Sequence, residues 1–273
     1  MPPQQRHLQD LVFAFSLGGL DLDDLALDHA YRGFRRHFGV PGRRAVSGAL
    51  VWQLNDCWPV TSWAIIDYAL RKKGAWFAVR RALAPLSLGL AGVPGAAEGW
   101  LVNGTQEEAA LTLRLAVHPL AGPGPNPSQP VLRPVTLPPN QVVELGSLGL
   151  GTADAVLSAQ LLRDGQVVAR AALWPPLHDL PDPGVTVRVD GGAIILSARR
   201  PAKGVWLERD DGEALPLADN LVDVLPGEDV ALPLLPDAQI DPTRVRVRWS
   251  GDHRRAQTRE VPLMSRLQRL RQQ

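Results

Sequence analysis

The stretch Leu157-Ser-Ala-Gln-Leu-Leu-Arg-Asp-Gly-Gln-Val-Val-Ala-Arg-Ala-Ala-Leu173 decides the fold class of most of the chain. Two apolar runs flank Asp164-Gly165, and an Asp-Gly dipeptide favours the tight turn of a two-residue β-hairpin. Residues 111–117 add a period of two, because leucine or valine stands at every second position. The sequence therefore predicts antiparallel β-structure around this hairpin.

Similar short apolar runs follow the hairpin, separated by turn residues. They cover residues 185–189, 193–197, 205–208, 230–235 and 245–249. Residues 174–183 have no hydrophobic period and carry two proline clusters, which predicts a domain boundary there. The number of strands fits two successive β-sandwich domains at residues 86–178 and 179–262, and residues 263–273 are predicted to be a tail.

Residues 1–85 have a different pattern, with apolar residues spaced by three and four. Acidic residues crowd the start and basic residues the end of a predicted helix at 21–37, as the helix dipole favours. Residues 46–54 are apolar on both faces, which predicts a buried parallel strand, and residues 71–83 predict a second helix that ends before Pro85. Helix, strand, helix is the order of an α/β unit.

Length and charge exclude several classes of protein. The 273 residues, 45% of them hydrophobic, are enough for about two domains with buried cores. The 29 Lys and Arg residues nearly balance the 28 Asp and Glu residues, so no global field attracts nucleic acid or an anionic membrane. We find neither a signal peptide pattern nor an apolar run of the roughly 20 residues that a transmembrane helix needs, and we expect a cytoplasmic protein.

The sequence gives no indication of a metal or cofactor site. Its six histidines are not spaced as metal ligands, and Gly149-Leu-Gly151 lacks the rest of a dinucleotide-binding fingerprint. Cys57 is the single cysteine, which excludes an internal disulfide, and its surroundings in the sequence predict an inert buried thiol. We therefore expect no cofactor and no metal.

Tryptophans cluster around the predicted parallel strand. Four of the eight lie within 25 residues: Trp52, Trp58, Trp63 and Trp76. An indole exposed at the carboxyl end of such a strand can stack on a sugar ring, because ligands of parallel α/β barrels bind at that end. Composition alone favours the alternative, that these tryptophans belong to the core. Asn55 and Asp56, in the following turn, are candidates to bind sugar hydroxyls or to cap the turn.

Three stretches resemble one family of enzymes. Ser47-Gly-Ala-Leu-Val-Trp-Gln-Leu-Asn-Asp-Cys-Trp-Pro-Val-Thr-Ser-Trp-Ala-Ile-Ile-Asp-Tyr68, continued by residues 73–85, resembles the last strand and helix of the TIM barrel in β-mannosidases of glycoside hydrolase family two. Asp219-Asn-Leu-Val-Asp-Val-Leu-Pro-Gly-Glu228 is similar to the signature of their C-terminal immunoglobulin-like domain. Trp100-Leu-Val-Asn-Gly-Thr105 is similar to an early strand of the sandwich before that domain, and the resemblance extends over residues 8–262.

The resemblance implies a mixed, mainly β fold. Residues 1–85 would be the helix-strand-helix end of an incomplete TIM barrel, followed by two immunoglobulin-like β-sandwich domains. It also implies the family's reaction, the retaining hydrolysis of terminal β-D-mannosides. The family uses two glutamates as nucleophile and acid/base, and all eight glutamates of this sequence lie from Glu98 onward. We expect both catalytic glutamates upstream of residue 1, no catalytic residue within this chain, and no activity of the chain alone.

The resemblance assigns substrate binding to Trp52, which in the family forms part of the wall around the cleaved sugar and commonly precedes a non-proline cis peptide. Asn55, Asp56 and Trp58 are weaker candidates, as rim or support of that site. The partner would be a β-mannoside or oligosaccharide, bound once the rest of the barrel completes the site. The alternative is a non-catalytic carbohydrate-binding or structural accessory module. That alternative needs a row of surface aromatic residues, and the sandwiches have only widely spaced tryptophans: Trp100, Trp174, Trp206 and Trp249.

Overall fold

The computed structural model describes residues 32–36, 49–59, 62–120, 129–150, 154–175 and 181–250. Residues 32–36 are helical, and helix α1 spans Gly74–Ala82. The strands that follow are β1 (Leu86–Val93), β2 (Ala96–Asn103), β3 (Ala109–Pro119), β4 (Val131–Leu137), β5 (Gln141–Ser147), β6 (Ala155–Arg163), β7 (Gln166–Leu173), β8 (Thr186–Asp190), β9 (Ala193–Ser197), β10 (Ala202–Arg209), β11 (Val222–Val224), β12 (Val230–Pro233) and β13 (Val245–Arg248). A 3-10 helix spans Pro242–Arg244.

Strands β1 to β7 form the first β-sandwich. Its two antiparallel sheets have the orders β1-β2-β5 and β4-β3-β6-β7. Their facing sides bury a core of mainly leucine side chains, among them Leu88, Leu101 and Leu157. The β6-β7 hairpin is confirmed: Asp164 and Gly165 have φ values of 51° and 77°, as a turn that matches the twist of a hairpin requires.

Strands β8 to β13 form the second β-sandwich, with the sheet orders β12-β9-β8 and β11-β10-β13. Its core is a separate cluster that includes Ile194, Leu207 and Leu232. Strand β11 has three residues and no apolar alternation long enough for the sequence to indicate it. The predicted mainly β fold with immunoglobulin-like sandwiches is confirmed, whereas the domain bounds stay predictions.

The buried parallel strand predicted at 46–54 is wrong for the residues that the structure describes. Residues 49–54 form no strand, and the Leu50 side chain is 96% exposed. A parallel strand is buried only when neighbouring strands and helices cover it, and among the described residues a single parallel bridge, Asn55 to Ile66, lies beside this segment. Residues 46–48 lie outside the described residues, and the TIM-barrel end stays a prediction.

The two predicted helices differ in how much of them the structure describes. Of the helix predicted at 21–37, residues 32–36 are described, and they are helical. The helix predicted at 71–83 is confirmed in its central part, since α1 covers Gly74–Ala82 and its C-cap, Leu83, lies two residues before Pro85. No helix within the described ranges has the length and apolar character needed to cross a membrane.

Candidate functional site

The predicted site residues lie in one turn that backbone hydrogen bonds hold in place. We call residues 52–59 and 62–66 the tryptophan turn. The amide of Asp56 donates to the carbonyl of Ile66 at 3.0 Å, and the amide of Ile66 donates to the carbonyl of Leu54 at 2.9 Å. This alternation is that of a short parallel pair, so the backbone is fixed although most side chains around it are exposed.

Asp56 is the buried anchor of the tryptophan turn. Its Oδ1 accepts a hydrogen bond from the Ser62 hydroxyl, and its Oδ2 accepts one from the Lys73 ammonium at 2.9 Å. Burial acts to raise the pKa of Asp56, but the hydrogen bonds from Ser62 and Lys73 and the charge of Lys73 outweigh it, so the pKa lies below its ordinary value. Both carboxylate oxygens are bonded to groups inside the fold, so Asp56 stabilises the turn.

Three indoles of the turn are exposed. The exposed fractions are 76% for Trp52, 62% for Trp58 and 54% for Trp63, and a non-proline cis peptide bond joins Trp52 to Gln53. Large aromatic side chains grouped on a surface mark an interaction site more often than a packing site. In the part of the chain that the structure describes, these three side chains are therefore not packed in a core. Their role in binding a sugar stays a prediction.

The remaining residues around Asp56 face outward. Asn55 is exposed, and its Nδ2 donates to the carbonyl of Asp56 at 3.2 Å, which is a turn-capping contact. Cys57 is also exposed, so the predicted buried thiol is wrong. The physical reason is the alternation of an extended chain, in which the inward position belongs to Asp56 and its neighbours point to the other side.

Helix α1 connects the tryptophan turn to the second sandwich. Its buried residues Val79 and Ala82 pack against Ala49 and Val51, next to Trp52. On another side of the helix, the Phe77 ring meets the Trp206 ring of β10 edge-on, with the ring centroids 5.9 Å apart. Apolar packing therefore joins the turn, the helix and the sandwich.

Arg81, in the last turn of α1, fixes this packing with three hydrogen bonds. Its Nη1 donates to the Asp219 carboxylate at 2.5 Å and to the carbonyl of Asn220 at 2.8 Å, and its Nη2 donates to the carbonyl of Leu221 at 2.8 Å. A guanidinium that binds a carboxylate and two carbonyls defines the orientation of the helix more strictly than apolar contacts do. These three partners begin the segment 219–228, which we call the hinge segment.

Glu228, the last residue of the hinge segment, reaches into the first sandwich. It accepts hydrogen bonds from Arg114 at 2.6 Å, Gln160 at 2.8 Å and Ser158 at 3.1 Å, and the His118 ring nitrogen Nε2 lies 3.3 Å away. Burial acts to raise the pKa of Glu228, but the hydrogen bond to His118, the charges of His118 and Arg114, and the hydrogen bond to Ser158 hold it below its ordinary value.

Sequence reasoning missed the contacts of Arg81 and Glu228. The one local signal is the pair of polar residues Ser158 and Gln160 inside strand β6, which is otherwise mostly apolar and buried. Buried polar side chains need hydrogen-bond partners, and such a pair indicates that an unidentified polar group lies nearby. The sequence does not indicate that this group comes from residue 228.

The carboxylates beside the tryptophan turn are not arranged for glycoside hydrolysis. Asp56 is paired with Lys73, and the Asp67 Oδ2 accepts a hydrogen bond from the Arg71 Nε at 2.6 Å. Retaining hydrolysis needs one carboxylate free to attack and one carboxylic acid to protonate the leaving oxygen. Among the described residues, no group of three or more His, Cys, Asp or Glu side chains is placed to hold a metal ion.

Two family models match successive parts of the chain. The Mannosidase Ig/CBM-like domain matches residues 95–176, and the Ig-fold domain named Ig_mannosidase matches residues 180–250. The first match covers most of the first sandwich, and the second covers the second sandwich.

Among curated proteins, the chain is similar to β-mannosidase B of fungi. It is 35% identical to that of Thermothelomyces thermophilus, with 76% of this chain and 28% of the relative covered. It is 34% identical to that of Aspergillus fumigatus, with 73% of this chain and 26% of the relative covered. The chain thus spans little more than a quarter of the length of the curated relatives it matches.

Solved structures give the same fold. A β-D-mannosidase from Dictyoglomus thermophilum matches with a TM-score of 0.66 at 22% identity, over 83% of this chain and 28% of that one. An exo-chitosanase from Amycolatopsis orientalis matches with a TM-score of 0.58 at 17% identity, over 84% of this chain and 31% of that one. The solved structures show the fold, and the family models and the fungal relatives show that the chain belongs to the β-mannosidase family and carries its two immunoglobulin-like domains.

Proposed function

We propose that this chain is the part of a β-mannosidase-type retaining glycoside hydrolase that holds one wall of the sugar site, and that it does not catalyse hydrolysis by itself. The observation that carries the proposal is the exposed Trp52 side chain on a backbone fixed by hydrogen bonds. An indole held in this way offers a flat apolar face to the C–H groups of a sugar ring. In this proposal the tryptophan turn contacts the sugar and supplies no catalytic group.

The distribution of carboxylates supports the second part of the proposal, that the chain does not catalyse hydrolysis by itself. Residues 1–85 contain no glutamate, and Asp56 and Asp67 are each engaged by a basic side chain. A carboxylate held by an ion pair is a poor general acid, because the pair stabilises its ionised form. The nucleophile and the acid/base must then come from residues other than these.

The substrate we propose is a glycoside, and more specifically a terminal β-D-mannoside. The names of the fungal relatives and of the Dictyoglomus thermophilum structure support this choice. Trp52 would stack on the sugar at the cleaved bond, with Trp58 and Asn55 at the rim and Asp56 as the internal support of the turn.

The accessory-module alternative is not favoured, because the aromatic residues of the sandwiches do not form a surface row. Trp100 is buried in the first sandwich. Trp174, Trp206 and Trp249 are half-buried, and Trp206 and Trp249 pack against Phe77 and the second core respectively. A binding face for polysaccharide needs exposed aromatic rings, and among the described residues the exposed indoles lie in the tryptophan turn.

The test is hydrolysis of an aryl β-mannoside by the isolated chain and by a chimera in which this chain replaces the matching part of the Thermothelomyces thermophilus β-mannosidase B. We expect no turnover above heat-treated protein for the isolated chain and measurable turnover for the chimera. In the chimera, Trp52→Ala should lower kcat/KM by about 10-fold to 150-fold, the equivalent of the roughly 1.5 to 3 kcal/mol that burial of a large apolar side chain contributes.

The control variant is Leu132→Ala, which removes an exposed apolar side chain of β4 in the first sandwich. It should leave kcat/KM of the chimera unchanged. Turnover by the isolated chain that is abolished by Asp56→Asn or Asp67→Asn would refute the proposal. An equal effect of Trp52→Ala and Leu132→Ala would refute the role of Trp52.

A further inference from the structure

A cavity of about 210 Å³ lies where the two sandwiches meet helix α1. This volume is well above the roughly 10–15 Å³ that a cavity needs to hold one water molecule. Charged side chains from several elements line it: Arg32 of the helical residues 32–36, Arg81 of α1, Arg170 of β7, Lys203 of β10, Asp223 of β11 and Glu228. No residue of the tryptophan turn lines the cavity, so it is separate from the proposed sugar wall.

The carboxylates of the cavity already have donors. Asp223 accepts from the Trp174 indole nitrogen and from the amide of Gly204, both at 2.8 Å. Glu228 is held by the donors of the first sandwich described above. Arg81 is similarly engaged, through its ion pair with Asp219. These groups need no ligand to satisfy them.

Two cationic side chains of the cavity, those of Arg170 and Lys203, lack such partners. Within the part of the chain that the structure describes, the side chains of Arg170 and Lys203 make no hydrogen bond and no ion pair, and the Lys203 Nζ lies 5.7 Å from the centroid of the Trp174 ring. Partial burial lowers the pKa of both side chains, and the charges of the nearby carboxylates, Asp223 beside both and Asp219 and Glu228 beside Arg170, offset this effect only in part. Among the described residues, these two cations therefore have side-chain donors that no direct hydrogen bond uses.

We propose that this cavity binds a small oxyanion of the phosphate or carboxylate class between Arg170 of the first sandwich and Lys203 of the second. A guanidinium presents paired donors that match two oxygens of such an anion, and an ammonium adds a point charge. The Trp174 ring, beside Lys203, forms an apolar wall of the same site. Because the two cations belong to different sandwiches, the bound anion fixes the sandwiches against each other.

The experiment is calorimetric titration of the full chain with inorganic phosphate and, separately, with acetate, at an ionic strength kept constant with sodium chloride. We expect saturable binding of phosphate and a thermal midpoint that rises with phosphate more than with chloride of equal ionic strength. Arg170→Gln and Lys203→Gln should each weaken the affinity at least tenfold. Arg133→Gln, which removes an exposed arginine of β4, should leave the affinity unchanged.

Each outcome of the titrations either supports or overturns the proposed anion site. Binding of phosphate alone supports a site for tetrahedral oxyanions, and binding of both anions supports a site that also accepts carboxylates. The absence of saturable binding for both anions overturns the proposal, as does an equal loss of affinity in Arg133→Gln. If either cavity variant fails to fold, the comparison of phosphate with chloride in the unaltered chain still decides the matter.

Discussion

Glu228→Gln is the change that tests how the two sandwiches are held together. The substitution keeps the length and shape of the side chain and removes its charge. The new amide places an N–H₂ group where Glu228 accepts hydrogen bonds, so a donor would face the Gln160 amide or the Arg114 guanidinium. Arg114 also loses the carboxylate that balances its charge at 2.6 Å.

The magnitude follows from the burial of the two partners. Breaking a fully buried ion pair by removing one member costs about 3–5 kcal/mol. Glu228 is almost fully buried, but the Arg114 side chain is 19% exposed, so water screens part of the cost. We expect the free energy of unfolding to fall by about 2–4 kcal/mol, which corresponds to a drop in thermal midpoint of very roughly 5–15 °C for a structure of this size.

The assay is urea unfolding followed by circular dichroism and tryptophan fluorescence. The control is Asp229→Asn, the adjacent residue, whose exposed carboxylate accepts from Ser197 at 2.7 Å and forms a surface ion pair with Arg188. Such surface contacts contribute less than about 1 kcal/mol, so the control should stay close to the unaltered chain. A loss below 1 kcal/mol for Glu228→Gln, or losses of equal size in the two variants, would refute the reasoning.

Three further predictions concern acid, the helix contact and sheet packing. Because the folded state lowers the pKa of Glu228 from its ordinary 4.5, its stabilisation is present above pH 4.5 and is lost as the pH falls through the lowered value, and Glu228→Gln should flatten this acid limb of unfolding. Arg81→Ala removes three hydrogen bonds from α1 and should speed proteolysis within residues 49–73, measured by peptide mapping. Gly89→Ala places a methyl group inside the Trp100 ring and should lower the thermal midpoint more than Gly99→Ala, where flexible leucine side chains can yield.

The sandwiches were predictable because their signals are local. A period of two and an Asp-Gly turn act within about 15 residues, and strands β6 and β7 follow from them directly. The grouping of the four candidate site residues in one turn was predictable for the same reason, because they are close in the sequence: Trp52 and Trp58 are only six positions apart.

The apolar run at residues 46–54 shows the limit of such reasoning. A run of apolar residues is buried only if neighbouring strands or helices pack over it. The sequence of the run itself does not show whether such elements are present. Leu50 and Trp52 are therefore exposed where the pattern predicts burial. Cys57 is exposed for a related reason, because the side of the turn on which a residue lies depends on a backbone that the sequence pattern does not define.

Contacts between distant residues were beyond prediction, and they determine how the tryptophan turn is positioned. Arg81 and Asp219 are 138 residues apart, and Glu228 and Arg114 are 114 apart. Both contacts end on the hinge segment: its first residues hold α1, and its last residue lies within the first sandwich. We therefore expect a change at Glu228 to affect the turn through the hinge segment, Arg81 and α1. The two sandwiches thus serve the proposed sugar wall by fixing the helix on which it rests, and no aromatic residue of their own is needed for that role.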